Sequence, residues 1–309
     1  MADAVSVGVS KAYVNETGNG IWPYATPETA TNDLVEVFGS ALLADGRTFE
    51  IEVDDGDYVV KDKWIVITGN VYLHSKNGPE NCRLVADTTR NATERKAICL
   101  NNADAMVEGL TLDSFCWDGN LKGDQGGVVR ISAGTMRNCV IQNSRGGNNG
   151  AAVDMSGGVL ENSILRNNWS VGGNNTGVGS GGGVYLSSGY PVVCNTVISN
   201  NYVAKNGGGI YCKAAGAVVT NCVIASNRTG YSSRTSPMNN TDRHGGGIYT
   251  EAAATFANCA IIGNHARGEG GAIYATAAAK FINCLIADNA ANTTRPGVYM
   301  TKAGQFINC

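Results

Sequence analysis

Proline is scarce in this sequence, at 6 positions in 309 residues, and aromatic residues make up 7% of it. Despite 41 glycines, that scarcity sets aside collagen-like and disordered compositions. Charge is also thin: Asp, Glu, Lys and Arg together reach 16%, against roughly a quarter in ordinary soluble domains. The net charge of −3 leaves no basic footprint, which excludes nucleic acid as a partner. No apolar run approaches the roughly 20 residues of a membrane span. The opening, "MADAVSVGVSKAYVNE", lacks the basic stretch and apolar core of a signal peptide. None of the 10 cysteines sits in a C-x-x-C pair, so zinc and thiol-redox motifs have little support.

What the sequence does hold is a repeat. An Asn-Cys pair recurs at Asn138, Asn221, Asn258, Asn283 and Asn308, with degenerate copies at Asn162-Ser163 and Asn195-Thr196. Successive asparagines lie 24, 33, 26, 37, 25 and 25 residues apart. A second landmark runs 9 to 11 residues ahead of each: Val129, Val153, Val184, Ile210, Ile248, Ile273 and Val298. Two landmarks moving together give a period of about 25 residues, the range of solenoid repeats. Within the copies apolar residues alternate, as in Cys222 then Ile224 and Cys259 then Ile261; period two means strand. Asn and Gly mark the corners, where positive φ costs least.

The expected fold is therefore all-β, a single-stranded parallel β-helix. At about 4.8 Å per coil, residues 48–309 make about ten coils and a rod of roughly 50 Å. Cys139, Cys222, Cys259 and Cys284 should stack inward, with Ser163 and Thr196 in the same column; disulfides between neighbouring coils are the alternative. Two asparagine corners are expected, the second built from Asn200, Asn227, Asn264 and Asn289. Residues 1–47 form a separate N-terminal segment with a capping helix: Thr26 as N-cap, Pro27 in the first turn, Asp45-Gly46 as the stop, and Ala30, Leu34, Phe38, Ala41 and Leu42 on its apolar face. The chain halts in mid-repeat at "QFINC". That ending suggests truncation, or an open last coil able to join another copy end to end.

These residues resemble the pectate-lyase-like right-handed parallel β-helix superfamily. "GGAIY" from Gly270, with "FINC" from Phe281, is similar to the GGA[ILV]/FxxN repeats of the polymorphic outer-membrane protein family of bacterial surface adhesins. "DGDYVV…IVITGNVYLHSKNGPENCRLVAD" looks like the first coils of secreted bacterial β-helix proteins. The resemblance implies a secreted or cell-surface location and a polysaccharide or host glycan as partner. It does not choose between enzyme and non-enzyme, since one fold hosts both.

Insertions fall along one edge, at 167–183 and 227–247, where loops commonly carry function. Alignment on Ile248 and Ile273 sets His244 level with Glu269 and Asp242 level with Arg267. His265, Arg243, Lys205, Arg228, Arg234 and Tyr231 lie near. Three readings stand open. The cluster is a set of exposed ion pairs; or it is a glycan-binding edge with Trp169, Tyr202 or Tyr231 stacking on sugars; or it is a catalytic centre, most plausibly a uronate lyase using His244, Arg267 and Glu269. The stretch "DDGD", Asp54 to Asp57, is a candidate Ca²⁺ loop or a plain turn. His74 stands alone in a strand. No other metal or cofactor is expected. The leading functional expectation is a non-catalytic adhesin, stalk or carbohydrate-binding scaffold.

Overall fold

A computed structural model describes residues 9–38, 47–61, 64–87, 96–116, 127–147, 149–170, 179–231 and 242–309. The chain winds as a parallel β-helix. Among the described residues its strands form an 18-stranded, a 9-stranded and a 6-stranded sheet. One coil shows the plan: Ile248–Thr250 and Thr255–Ala257 lie in the first sheet, Ala260–Ile262 in the second and His265–Ala266 in the third. Each pairs in parallel with its counterpart one coil away.

The valine and isoleucine landmarks fall into one register column, Val129–Val153–Val184–Ile210–Ile248–Ile273–Val298. All but Val298 are fully buried. Like residues also stack: Phe256 on Phe281 and Phe281 on Phe306, with ring centroids 5.0 Å apart in each pair. Outside the first sheet, Tyr185, Tyr211, Tyr249 and Tyr274 form a second ladder with steps of 5.1, 4.9 and 5.2 Å.

The corners follow one rule. At the first, Asn138, Asn162, Asn195, Asn221, Asn258, Asn283 and Asn308 hold φ between 48 and 54°, and the next residue turns inward. Hence Cys139, Ser163, Thr196, Cys222, Cys259 and Cys284 are buried in one column. The cysteines there are thiols, and burial pushes Cys139 up to about 12. At the second corner the left-handed residue varies: Asn143, Asn167, Asn200, Ser226, Gly263 and Asp288. Its inward successor is asparagine in Asn168, Asn201, Asn227, Asn264 and Asn289, each bonded side chain to side chain with the next at 3.0–3.1 Å. The ladder member is thus Asn201, not Asn200, because the turn spends one residue on positive φ before the chain faces the core.

The N-terminal segment departs from the expected α-helix in its described part. Residues 26–38 hold turns, a bridge from Thr31 to Val14 and one 3₁₀ turn over 36–38. The carbonyls of Glu28, Thr29 and Ala30 accept N–H bonds from Asn19, Ile21 and Gly20, so they are unavailable for a helical ladder. Leu34 and Val37 are nonetheless fully buried against the core. Ala41, Leu42 and the Asp45-Gly46 stop lie outside the described residues. Strand Lys11–Val14 is itself a rung, parallel to Phe49–Val53.

Candidate functional site

Each third-sheet strand is two residues long, one turned in and one out. The inward residues Gly146, Ser170, Val203, Thr229 and Ala266 are buried. The outward residues stack in register as Arg145–Trp169–Tyr202–Arg228–His265. Tyr231 meets Tyr202 edge-on at 5.7 Å, and the Arg267 guanidinium lies 5.9 Å from the Tyr231 ring centroid. Three aromatic rings and three arginines therefore share one face. All three rings are half-buried.

The glycines of the repeat hold this face to the rod. Gly245 has φ +68° and closes the turn. A Cβ on Gly246 would stand 2.5 Å from the Gly271 carbonyl oxygen and 2.5 Å from the His265 backbone. The Gly-Gly pair is thus structural: it lets the returning chain lie against the third sheet.

His244 stacks on Tyr274 at 4.3 Å. The Glu269 backbone N–H donates to its Nδ1 at 3.0 Å, which leaves the neutral ring's proton on Nε2. Burial lowers the His244 pKa, against the opposing pull of Glu269 and Asp242. In a neutral ring so bonded the one free lone pair, on Nδ1, is engaged by the Glu269 N–H. The Glu269 carboxylate turns away to Arg295, whose guanidinium covers Tyr299 at 4.2 Å. His265 donates its Nε2–H to Asn292 Oδ1 at 2.9 Å. Burial, with Arg228 and Arg267 nearby, lowers its pKa.

Residues 96–309 match the family described as "Right handed beta helix region". The chain belongs to this family. No curated protein sequence matches it. Among solved structures it is similar to pectin methylesterase PemA from Erwinia chrysanthemi, at 13% identity and a TM-score of 0.44 over 94% of this chain and 80% of that one. It is also similar to the catalytic domain of a GH87 alpha-1,3-glucanase variant in complex with tetrasaccharides, at 11% identity and a TM-score of 0.39 over 99% of this chain and 70% of that one.

Within this right-handed β-helix the aligned pairs separate in side-chain terms. His244 and Glu269 meet through ring and backbone. Asp242 turns to Arg243 at 3.5 Å, while Arg267 goes to Tyr231. Of the proposed His244–Arg267–Glu269 set, His244 and Glu269 meet through the Glu269 backbone N–H, the Glu269 carboxylate pairs with Arg295, and Arg267 lies against Tyr231. Lys205 is exposed at the same edge, and Arg234 lies outside the described residues. In "DDGD", Asp54 pairs with Lys76, Asp55 with Asn77 and Asp57 with Arg83. Each carboxylate is bound across to the following coil rather than gathered around one point.

His74 is not alone. Its Nε2 meets Glu50 at 3.0 Å, its Nδ1 meets the Ser75 carbonyl oxygen at 3.0 Å, and it stacks on Tyr72 at 4.4 Å. Glu50, Glu52 and His74 bring ligand atoms within 4.8 Å of one another. The Lys11 ammonium stands 2.7 Å from both carboxylates, so an internal cation balances them. Against the cost of burial, bonds from Lys11 and His74 hold Glu50 below the usual carboxylate range. Sequence reasoning missed Arg145 in the outer column. Its period-matched offset from Trp169 was the signal that would have found it.

Proposed function

We propose that this chain is a carbohydrate-binding β-helix module whose site is the outer column of the third sheet. The observation that carries the reading is the placement of Trp169 and Tyr202 in register on adjacent rungs, flanked by Arg145 and Arg228. Indole and phenol rings offer apolar faces to the C–H faces of sugars and a polar edge to hydroxyls. Guanidinium groups supply fixed donor forks for hydroxyl or carboxylate oxygens. Half-buried rings are already ordered, so little side-chain entropy is lost on binding. Such a module would serve as an adhesin or stalk segment of a secreted or cell-surface protein.

The test is binding of the chain to an immobilised polysaccharide panel, alongside Trp169→Ala and Tyr202→Ala. Each substitution is expected to weaken binding about tenfold, the loss of one stacking contact of roughly 1.4 kcal/mol. Unchanged affinity in both variants would sink the reading. His244→Ala should leave any absorbance from unsaturated uronate products unchanged, since the Glu269 backbone N–H occupies the Nδ1 lone pair of His244.

A further inference from the structure

The first rungs carry a polar cluster on the outer side of the first sheet. Strand Phe49–Val53 alternates, so Glu50 and Glu52 both face outward. Glu52 is the register partner of His74 on the following rung, and Glu50 that of Lys11 on the preceding one. From this cluster we infer a site for one divalent metal ion of zinc's class, held by the carboxylates of Glu50 and Glu52 and by Nε2 of His74. It does not depend on the third-sheet column.

The histidine ring is set for ligation. Its Nδ1 faces the Ser75 carbonyl oxygen at 3.0 Å; a carbonyl only accepts, so Nδ1 carries a proton. The lone pair of the neutral ring is then on Nε2, 3.0 Å from Glu50 Oε1. That carboxylate oxygen is an acceptor too. Positive charge must stand between the two, as a second ring proton or as a metal ion. A backbone carbonyl behind the ring is a common outer partner of a metal-bound imidazole. Tyr72 stacks on the ring at 4.4 Å and fixes its plane. All three ligand groups are half-buried, with their ligand atoms within 4.8 Å of one another. A tetrahedral zinc ion needs roughly 3.4 Å between ligand atoms, an adjustment of about an ångström.

Charge favours a divalent ion. Glu50 and Glu52 carry two negative charges, and Lys11, 2.7 Å from each, answers with one positive. Neighbouring charges are committed elsewhere. Glu108 is closed by Tyr72 at 2.6 Å and Arg137 at 2.7 Å, and Lys76 is held by Asp54 at 3.1 Å. One negative charge is left for a ring proton on His74 to meet. A single divalent ion replaces both Lys11 and that proton. Lys11, once displaced, keeps a partner in the Tyr13 ring, whose centroid lies 4.9 Å from its ammonium. One imidazole with two carboxylates suits zinc better than calcium, which takes roughly six to eight oxygens. The ion would join Glu50 and Glu52 on one rung to His74 on the next, stapling the N-terminal coils.

Isothermal titration of the untagged, chelator-treated chain with Zn²⁺ tests the assignment, with Co²⁺ absorption reporting the ligand geometry. Zn²⁺ should bind at one site and raise the melting temperature by mass action. His74→Ala and Glu52→Gln should each weaken binding at least about tenfold. Lys11→Met removes the competitor and should tighten it about tenfold, the worth of one charge-assisted hydrogen bond. Glu80→Gln, an exposed change in another turn, should leave it unaltered. The substituted positions face outward, so the rungs stay intact, which circular dichroism checks. No Zn²⁺ binding at millimolar concentration, binding that either His74→Ala or Glu52→Gln leaves unchanged, a preference for Ca²⁺, or binding that appears only in Lys11→Met would each overturn the inference. None of these outcomes bears on Trp169 or Tyr202, so failure here stays separable from failure of the third-sheet reading.

Discussion

Two asparagine ladders run the length of the repeat, and the same residue type does different work in each. In the inner one, Asn264 donates to the Ile224 carbonyl oxygen at 2.8 Å and accepts from the Asn227 backbone N–H at 2.9 Å and side-chain amide at 3.0 Å. With its donation to Asn289 at 3.0 Å, deleting the side chain removes four hydrogen bonds, each worth about 0.5–1.5 kcal/mol. Asn264→Ala should therefore lower stability by roughly 3–5 kcal/mol, read as a fall in the urea midpoint. In the outer ladder, Asn258 is exposed and bonds Asn221 at 3.1 Å; its main service is tolerating φ of 53°. Asn258→Gly should cost less than about 1 kcal/mol in the same measurement. Acid reaches the histidines next. Burial holds His244 and His265 below their ordinary value of 6.5. Below that value the unfolded chain takes up protons that the native rings refuse. Their contribution is thus complete above 6.5 and lost as pH falls through the lowered native values. Around His265 the charged neighbours are Arg228 and Arg267, which act in the same direction as burial. The urea midpoint should drop between about pH 7 and pH 5, and His265→Asn should shrink that drop. Carboxylates held low, such as Asp57 beside Arg83, add their own loss at more acid pH. An equal drop in the variant would show that His265 is not responsible.

At the scale of the coil, glycine has two separable uses, and substitution distinguishes them. Gly246 has no positive φ, yet a Cβ there meets backbone on two sides at 2.5 Å. Gly246→Ala should push the returning chain off the third sheet, costing about 1–3 kcal/mol and weakening any ligand bound across Arg228 and His265. Gly263, at φ +64°, has its nearest neighbour, the Ser226 hydroxyl, 3.8 Å from a would-be Cβ. Asparagine occupies the equivalent turn position at Asn143, Asn167 and Asn200, so Gly263→Asn should leave the melting temperature nearly unchanged. These contrasts explain what was legible in the sequence. The first corner could be read because from Asn138 onward its left-handed residue is asparagine in every copy. The second was misplaced by one residue at Asn200 because Asn, Ser, Gly and Asp all serve there, and doublets such as Asn200-Asn201 hide which one faces inward. Coil alignment paired His244 with Glu269 correctly, but backbone register does not say where long side chains go: Arg267 chose Tyr231 and Glu269 chose Arg295. The early coils were opaque for a different reason. Their first-sheet strands fuse into Ile98–Glu108 and Val129–Arg137, and no further Asn-Cys pair stands between Asn81-Cys82 and Asn138-Cys139, so the period gave no register for Arg83.

For the molecule as a whole, repetition along one axis converts a two-residue strand into the strip proposed to bind. A single third-sheet strand offers one outward side chain, too little to hold a sugar. Five successive rungs, from Arg145 to His265, offer a strip about 19 Å long with contacts every ~4.8 Å. A polymer lying parallel to the axis meets aromatic, aromatic, then arginine at a constant interval, and each further sugar adds a contact without a further loss of rigid-body freedom. Affinity should climb with oligosaccharide length and level off at about four to five units, where the ligand outruns His265 and meets Ala290. Titration of a length series from disaccharide to heptasaccharide of any polymer that binds would measure this. A plateau already at the disaccharide would mean that the ligand crosses the rungs instead of following them, and that the column does not act as one strip.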